Sequence, residues 1–230
     1  MHPREKSWLT DLAPLPRIPL GDQAYEQILG QILAGRIALG EHIGEQALAE
    51  QLGISRIGVR EALRQLAHEG LIEIFINRGA YVRRFTPEDL EEIFRLRAAL
   101  ETLAAEQVIA HAGPHDVVGL QAVVDELAAL EASGDRLRGS EMDTEFHRRL
   151  MGLSRQRRAY AIWQNMSAQI TMVVYSVSSN YPSFEGLAAR HQRIVDLILA
   201  QDGPALTAYL RRHILEGGQH LVDALRQQST

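Results

Sequence analysis

Between Glu45 and Arg84 the chain is punctuated so tightly that few folds can accommodate it. Ser55 offers a hydroxyl to the unpaired amides of a helix start, Gly70 can end that helix in a left-handed conformation, and nothing between them breaks it. At about 100° per residue, Arg56, Arg60 and Arg64 form one stripe, with Val59, Ala62, Leu63 and Leu66 as the neighbouring apolar stripe. One side packs and the other reaches out. Upstream, Glu45 to Leu52 has the apolar spacing of a short helix, and Gly53 supplies the turn, which is helix-turn-helix punctuation. Farther upstream, Asp22 can cap a helix with Tyr25, Ile28, Leu29, Ile32 and Leu33 on its apolar side, closed by Gly35. Downstream, Leu71 to Ile76 and Ala80 to Arg84 are β-prone runs joined by Asn77-Arg78-Gly79, which predicts a hairpin with a basic tip. Three helices and a hairpin make a winged helix-turn-helix, in which the arginine stripe meets DNA rather than merely solvating a surface.

The rest of the chain must fold separately or extend this unit, and 230 residues suffice for two modest domains. Net charge is -5, unlike a protein that coats nucleic acid through a general basic surface, so the positive charge that matters is local. With no cysteine, disulfides and thiolate metal sites are excluded, and any metal must be held by His, Asp or Glu. No apolar run approaches the roughly 18 residues of a membrane span, and Met1 to Leu20 carries prolines where a signal peptide needs an apolar core. A soluble, cytoplasmic protein with no membrane partner is expected.

Residues 1–19 carry Pro3, Pro14, Pro16 and Pro19 without sustained periodicity and predict a flexible arm, before a winged domain over 20–85. Thr86-Pro87-Glu88-Asp89 then supplies a cap, a first-turn proline and two acids at the positive end of a helix, opening a second domain over 86–230. Helical spacing recurs near 87–111, 115–132, 136–154, 157–179, 184–201 and 204–227, punctuated by Gly113-Pro114, Ser133-Gly134, Tyr181-Pro182 and Asp202-Gly203-Pro204. The fold class is mainly α: a winged helix-turn-helix followed by an antiparallel bundle of six or seven helices.

Polar residues on the apolar stripes of a bundle are candidates for function. Asp143 and His147 are four apart on one face, His191 lies with Leu187, Ile194, Val195 and Ile198, and His213 with Leu206, Tyr209, Leu210 and Leu221. One carboxylate and three imidazoles from three helices have the chemistry to hold a divalent cation, although a histidine taken alone is more often a hydrogen-bonded core residue than a ligand. Zinc, nickel, manganese and iron all suit such a set. His220 also faces inward but lies seven residues, about 10 Å, beyond His213, and reads as packing or pocket lining. Arg97 falls between Ile93, Leu100 and Ala104 and must find an anion, either Glu101 one turn away or a carboxylate ligand.

At this point the chain resembles the GntR family of bacterial transcription regulators, in its FadR-like subgroup with an FCD effector domain. The likeness runs from about residue 20 to 226. It rests on Ile32-Leu33-Ala34-Gly35-Arg36, Gly40-Glu41, Leu48-Ala49-Glu50-Gln51-Leu52-Gly53-Ile54-Ser55-Arg56, Val59-Arg60-Glu61-Ala62-Leu63, Glu69-Gly70-Leu71 and Asn77-Arg78-Gly79-Ala80-Tyr81-Val82. The resemblance implies that Arg56 and Arg60 contact operator bases or phosphates and that the wing around Arg78 and Gly79 reaches the adjacent groove. Ile57-Gly58 stands where the family often has Thr-Pro, and Gln46 where it often has arginine. The DNA-facing set is therefore Gln46, Ser55, Arg56, Ile57, Arg60, Arg64, Arg78 and Gly79. In the second domain Asp143, His147, His191 and His213 stand where metal-binding members place their ligands, with a small carboxylate effector beside the metal. Arg97 and Glu101 match an Arg-x-x-Leu-Glu pattern that serves as structural pair or effector contact. Arg155-Gln156-Arg157 replaces the usual asparagine nearby.

The function expected is a ligand-responsive regulator, a repressor by default, binding a pseudo-palindromic operator as a homodimer because two reading heads multiply contacts and fix their spacing. Two other classes are a metalloenzyme fused to a DNA-binding domain and an architectural DNA-binding dimer. The first lacks a general base beyond the ligands themselves, and the inward Asp and His set speaks against the second.

Overall fold

The computed structural model describes residues 20–176 and 185–228. The predicted N-terminal arm, the Tyr181-Pro182 break and the ends of the two helical segments flanking it lie outside the described residues.

Helix α1 (Leu20–Leu33) buries Ala24, Ile28 and Ile32. Asp22 is not its cap, because the helix begins two residues earlier; its carboxylate sits in the first turn, facing the positive end of the helix. Helix α2 (Glu45–Leu52) ends at Gly53, whose φ of 65° gives the left-handed turn. Helix α3 (Arg56–His68) follows, with Ser55 Oγ accepting from the Gly58 amide at 3.2 Å and Val59, Ala62, Leu63 and Leu66 buried. Strands β2 (Ile72–Phe75) and β3 (Gly79–Val82) form the wing hairpin. Its turn is one residue earlier than expected: Gly79 pairs with Phe75 inside the ladder, and Asn77 supplies the left-handed residue at φ 61°. The sequence reading missed a two-residue strand, β1 (His42–Ile43), which pairs antiparallel with β3 and gives a sheet of order β1-β3-β2. Two residues carry too little periodicity to be legible; the edge of β3 recruits them.

Thr86 and Asp89 cap each other reciprocally at the start of α4 (Pro87–His111), with backbone-to-side-chain distances of 2.9 and 3.1 Å. Helices α5 (Pro114–Ser133), α6 (Arg136–Leu153), α7 (Arg157–Ser176), α8 (Leu187–Leu199) and α9 (Gly203–Gln228) complete a mainly α protein. Helix α4 is the bundle's centre, packing against α6, α7 and most extensively α9. That last approach needs Gly218: a Cβ there would lie 2.4 Å from the Phe94 ring. Among the described residues no helix is long and apolar enough to cross a membrane.

The winged half touches the bundle through α7. Gln169 Nε2 donates to the Glu69 carbonyl at 2.9 Å, just past the end of α3. Gly70 makes room for this contact, with φ 72° and space for a Cβ only 2.4 Å from Gln169 Nε2. Arg83, after β3, lies 3.7 Å from Asp89 of α4.

Candidate metal centre and nucleic-acid interface

Asp143 and His147 project from one face of α6, His191 from α8 and His213 from α9, and one ligand atom from each lies within 4.8 Å of all the others. His147, His191 and His213 are buried, while the Asp143 side chain is 27% exposed and so borders solvent.

The hydrogen bonds decide which nitrogen each ring offers. His191 Nδ1 lies 2.9 Å from the Leu187 carbonyl, which accepts but cannot donate, so the proton belongs on Nδ1 and Nε2 carries a lone pair. That Nε2 is buried and lies 3.1 Å from Asp143 Oδ1, yet makes no hydrogen bond. Two lone pairs brought together without a proton between them are what ligands to one cation look like. His147 Nδ1 donates to Glu101 Oε2 at 2.6 Å, which leaves its Nε2 as an acceptor 3.2 Å from His213 Nε2. At metal–nitrogen distances of about 2.0–2.1 Å, neighbouring nitrogens on one ion sit about 3–3.4 Å apart. The donor set suits a divalent cation, and two of its pairs, His191–Asp143 and His147–His213, stand at that spacing.

Burial favours the uncharged rings. It lowers the pKa of His147 against the opposing pull of Glu101, and it lowers that of His213 further, with His191 and His147 adding repulsion. Burial alone would raise the Asp143 carboxyl, but the neighbouring His191, His147 and Arg97 outweigh it and hold the carboxyl far below the usual carboxylate range. Burial thus favours neutral rings at His147 and His213 beside an ionised Asp143, the states that bind metal.

Glu101 supports this centre from behind. Fully buried, it accepts from His147 Nδ1, from Arg97 Nε at 2.6 Å and from Trp163 Nε1 at 2.7 Å. Burial pushes its carboxyl up, but His147 and Arg97 outweigh that and hold it at about 2. Of the two partners considered for Arg97, the structure gives it Glu101, and Arg97 also borders a cavity of about 130 Å³. Asp143, His147 and His213 open onto the same cavity, with Phe94 and Ile170 among its apolar walls. Of the two readings for His220, packing or pocket lining, the structure gives the second: the residue is exposed and lines this same cavity. Sequence reasoning treated Glu101 only as an anion for Arg97; its bond to His147, 46 residues away, has no local signal.

On the winged half, Arg56, Arg60 and Arg64 are exposed along α3, and Ile57 is 69% exposed beside them. Gln46 is exposed on α2 and donates to Glu50 at 3.0 Å. Ser55 is the cap of α3, and Arg78 is exposed at the wing tip. Gly79 is partly covered, packed against the His42 ring, so its role in the wing is to permit that approach. The sequence reading also passed over Glu45, the first residue of α2. Its Oε2 lies 2.8 Å from Arg60 Nε and 3.6 Å from Arg56 Nη2.

Compared with known proteins, residues 20–82 match the model of "Bacterial regulatory proteins, gntR family" and residues 92–216 that of the "FCD domain". The chain is 31% identical over 202 residues to the "Probable D-xylose utilization operon transcriptional repressor" of Paenarthrobacter nicotinovorans, spanning 87% of this chain and 88% of that protein. It is 24% identical over 215 residues to the HTH-type transcriptional repressor RspR of Escherichia coli K12, spanning 94% of each. Among solved structures, E. coli McbR/YncC shares the fold, with a TM-score of 0.74 and 20% identity over 92% of this chain and all (100%) of that one.

Proposed function

The chain belongs to the gntR family of bacterial regulatory proteins and carries its FCD domain, and on that premise we propose that it is a metal-dependent, ligand-responsive repressor. Its relatives are DNA-binding transcriptional regulators, not enzymes. In this reading residues 20–85 bind a pseudo-palindromic operator, residues 86–230 sense and dimerise, and the molecule works as a homodimer.

The observation that carries the reading is the position of α7. Ile170 lines the cavity beside the metal centre, and its neighbour Gln169 holds the carbonyl just past the end of α3. A ligand that shifts α7 therefore acts on the reading helix through one hydrogen bond, and differential affinity for two settings of that contact is what effector control requires. Asp143, His147, His191 and His213 would hold the ion, with zinc, nickel, manganese and iron all compatible. Bound there, the ion supplies positive charge and open coordination positions for a small carboxylate. Arg97, whose guanidinium is already engaged by Glu101, orients that end of the cavity and adds to its positive potential. Exposed Arg56, Arg60, Arg64 and Arg78, with Ser55, Ile57, Gln46 and Gly79, make up the operator-facing surface.

The test begins with selection of an operator from a random duplex pool by the full chain. Operator affinity is then measured after chelation, after return of each metal, and with small carboxylic acids added. Metal plus an effective acid should weaken binding at least about 5-fold, and Gln169→Ala should retain metal while losing most of that response. Recovery of no preferred sequence, or a His191→Ala variant that holds as much metal as wild type, overturns the reading.

A further inference from the structure

A carboxylate on a surface that meets phosphates repels the ligand unless it does something else there. Glu45 is such a group, placed between the two arginines that head α3. It is not needed as a cap, since Gly44 occupies that position and α2 begins with Glu45 itself. Nor is it an important contributor to folding, because ion pairs this open to solvent, with Arg60 50% exposed, add little to stability.

The geometry of the contact is selective. Glu45 Oε2 takes Arg60 by Nε, the inner nitrogen of the guanidinium, and reaches Arg56 only at the longer 3.6 Å. The terminal pair of Arg60, Nη1 and Nη2, is the fork that reads O6 and N7 of guanine in the major groove. A long arginine side chain otherwise samples many rotamers, and an edge-on carboxylate removes that freedom before DNA arrives. We propose that Glu45 is a positioning residue for guanine readout: it grips Arg60 by Nε and presents the terminal pair to a base edge. This rests on α3 being the DNA-reading helix, and it assigns the carboxylate to specificity rather than to affinity.

The experiment uses the full chain, its selected operator and an unrelated duplex, at fixed salt. Wild type, Glu45→Gln, Arg60→Ala and the double variant are compared, and each operator guanine is replaced in turn by 7-deazaguanine, which lacks the N7 acceptor. Arg60→Ala should weaken operator binding about 5- to 100-fold and become indifferent to one of the 7-deazaguanine positions. Glu45→Gln should weaken operator binding about 5- to 20-fold, blunt the response at that same guanine, and leave the unrelated duplex bound equally or more tightly. The double variant should be no weaker than Arg60→Ala, and urea midpoints should match wild type. If Arg60→Ala loses affinity but Glu45→Gln binds operator as well as or better than wild type, Glu45 merely competes with DNA and the proposal fails. Additive losses, or parallel losses on both duplexes with a lowered urea midpoint, also overturn it. An Arg60→Ala variant with intact operator affinity removes the reading helix itself and the proposal with it.

Discussion

Glu101→Gln is nearly isosteric, yet it should damage both the stability of the bundle and its metal centre. Glu101 Oε1 accepts from Arg97 Nε and Trp163 Nε1, and Oε2 accepts from His147 Nδ1. An amide has one oxygen, and placing it at Oε1 keeps two of the three bonds, so its NH2 group must face His147. The Arg97 bond then loses its charge assistance, costing about 1 kcal/mol, and the buried guanidinium loses its counter-ion. Together with the disturbed His147 contact, the loss should be about 3 kcal/mol, the lower end for a broken buried pair. His147 can avoid two opposed donors only by moving its proton from Nδ1 to Nε2, the nitrogen aimed at the other ligands. Metal affinity should therefore fall roughly 10- to 100-fold. Urea unfolding of the chelated protein measures the first effect, and titration against a competing chelator the second. A stability loss below about 1 kcal/mol, or an affinity within about twofold of wild type, would refute the tautomer argument.

Two further substitutions probe the winged half, one of them at its contact with the bundle. Gly70→Ala forces a side chain into a left-handed backbone at φ 72° and toward Gln169 Nε2, so it should cost about 1–2 kcal/mol. It should also reduce the effector response, and a variant as stable and as responsive as wild type argues against the contact. Tyr25 donates to Glu69 Oε2 at 2.7 Å, and burial followed by the Glu69 carboxylate raises its phenol well above the ordinary value. Because the folded value is raised, this contribution is complete below the unfolded pKa of about 10 and is lost above it. Tyr25→Phe has no phenol to ionise, so it should lose less stability than wild type between about pH 9.5 and 11.5; identical alkaline slopes in urea-melt series would count against the assignment.

How much of the molecule can be read without coordinates follows from the range of each interaction. Ser55 capping α3, Gly53 turning between α2 and α3, and the Thr86–Asp89 box opening α4 are bonds within about five residues, and each has a sequence signature. Helical periodicity likewise put Asp143, His147, His191 and His213 on inner faces, because a 3.6-residue repeat defines a face without knowing what it meets. Where the repeat is too short, as at β1, the rule has nothing to count, and at His220 on α9 it gives a cavity-lining position without showing that the side chain is exposed. Only the crossing of α4, α6, α8 and α9 decided that four candidate ligand atoms converge, that Glu101 rather than water sets the tautomer of His147, and that α7 spans the cavity and the end of α3. Glu45 gripping Arg60 across 15 residues belongs to the same class. Sequence determines which face a side chain occupies; the angles and distances at which helices pack determine which atoms it meets, and chemistry depends on the atoms.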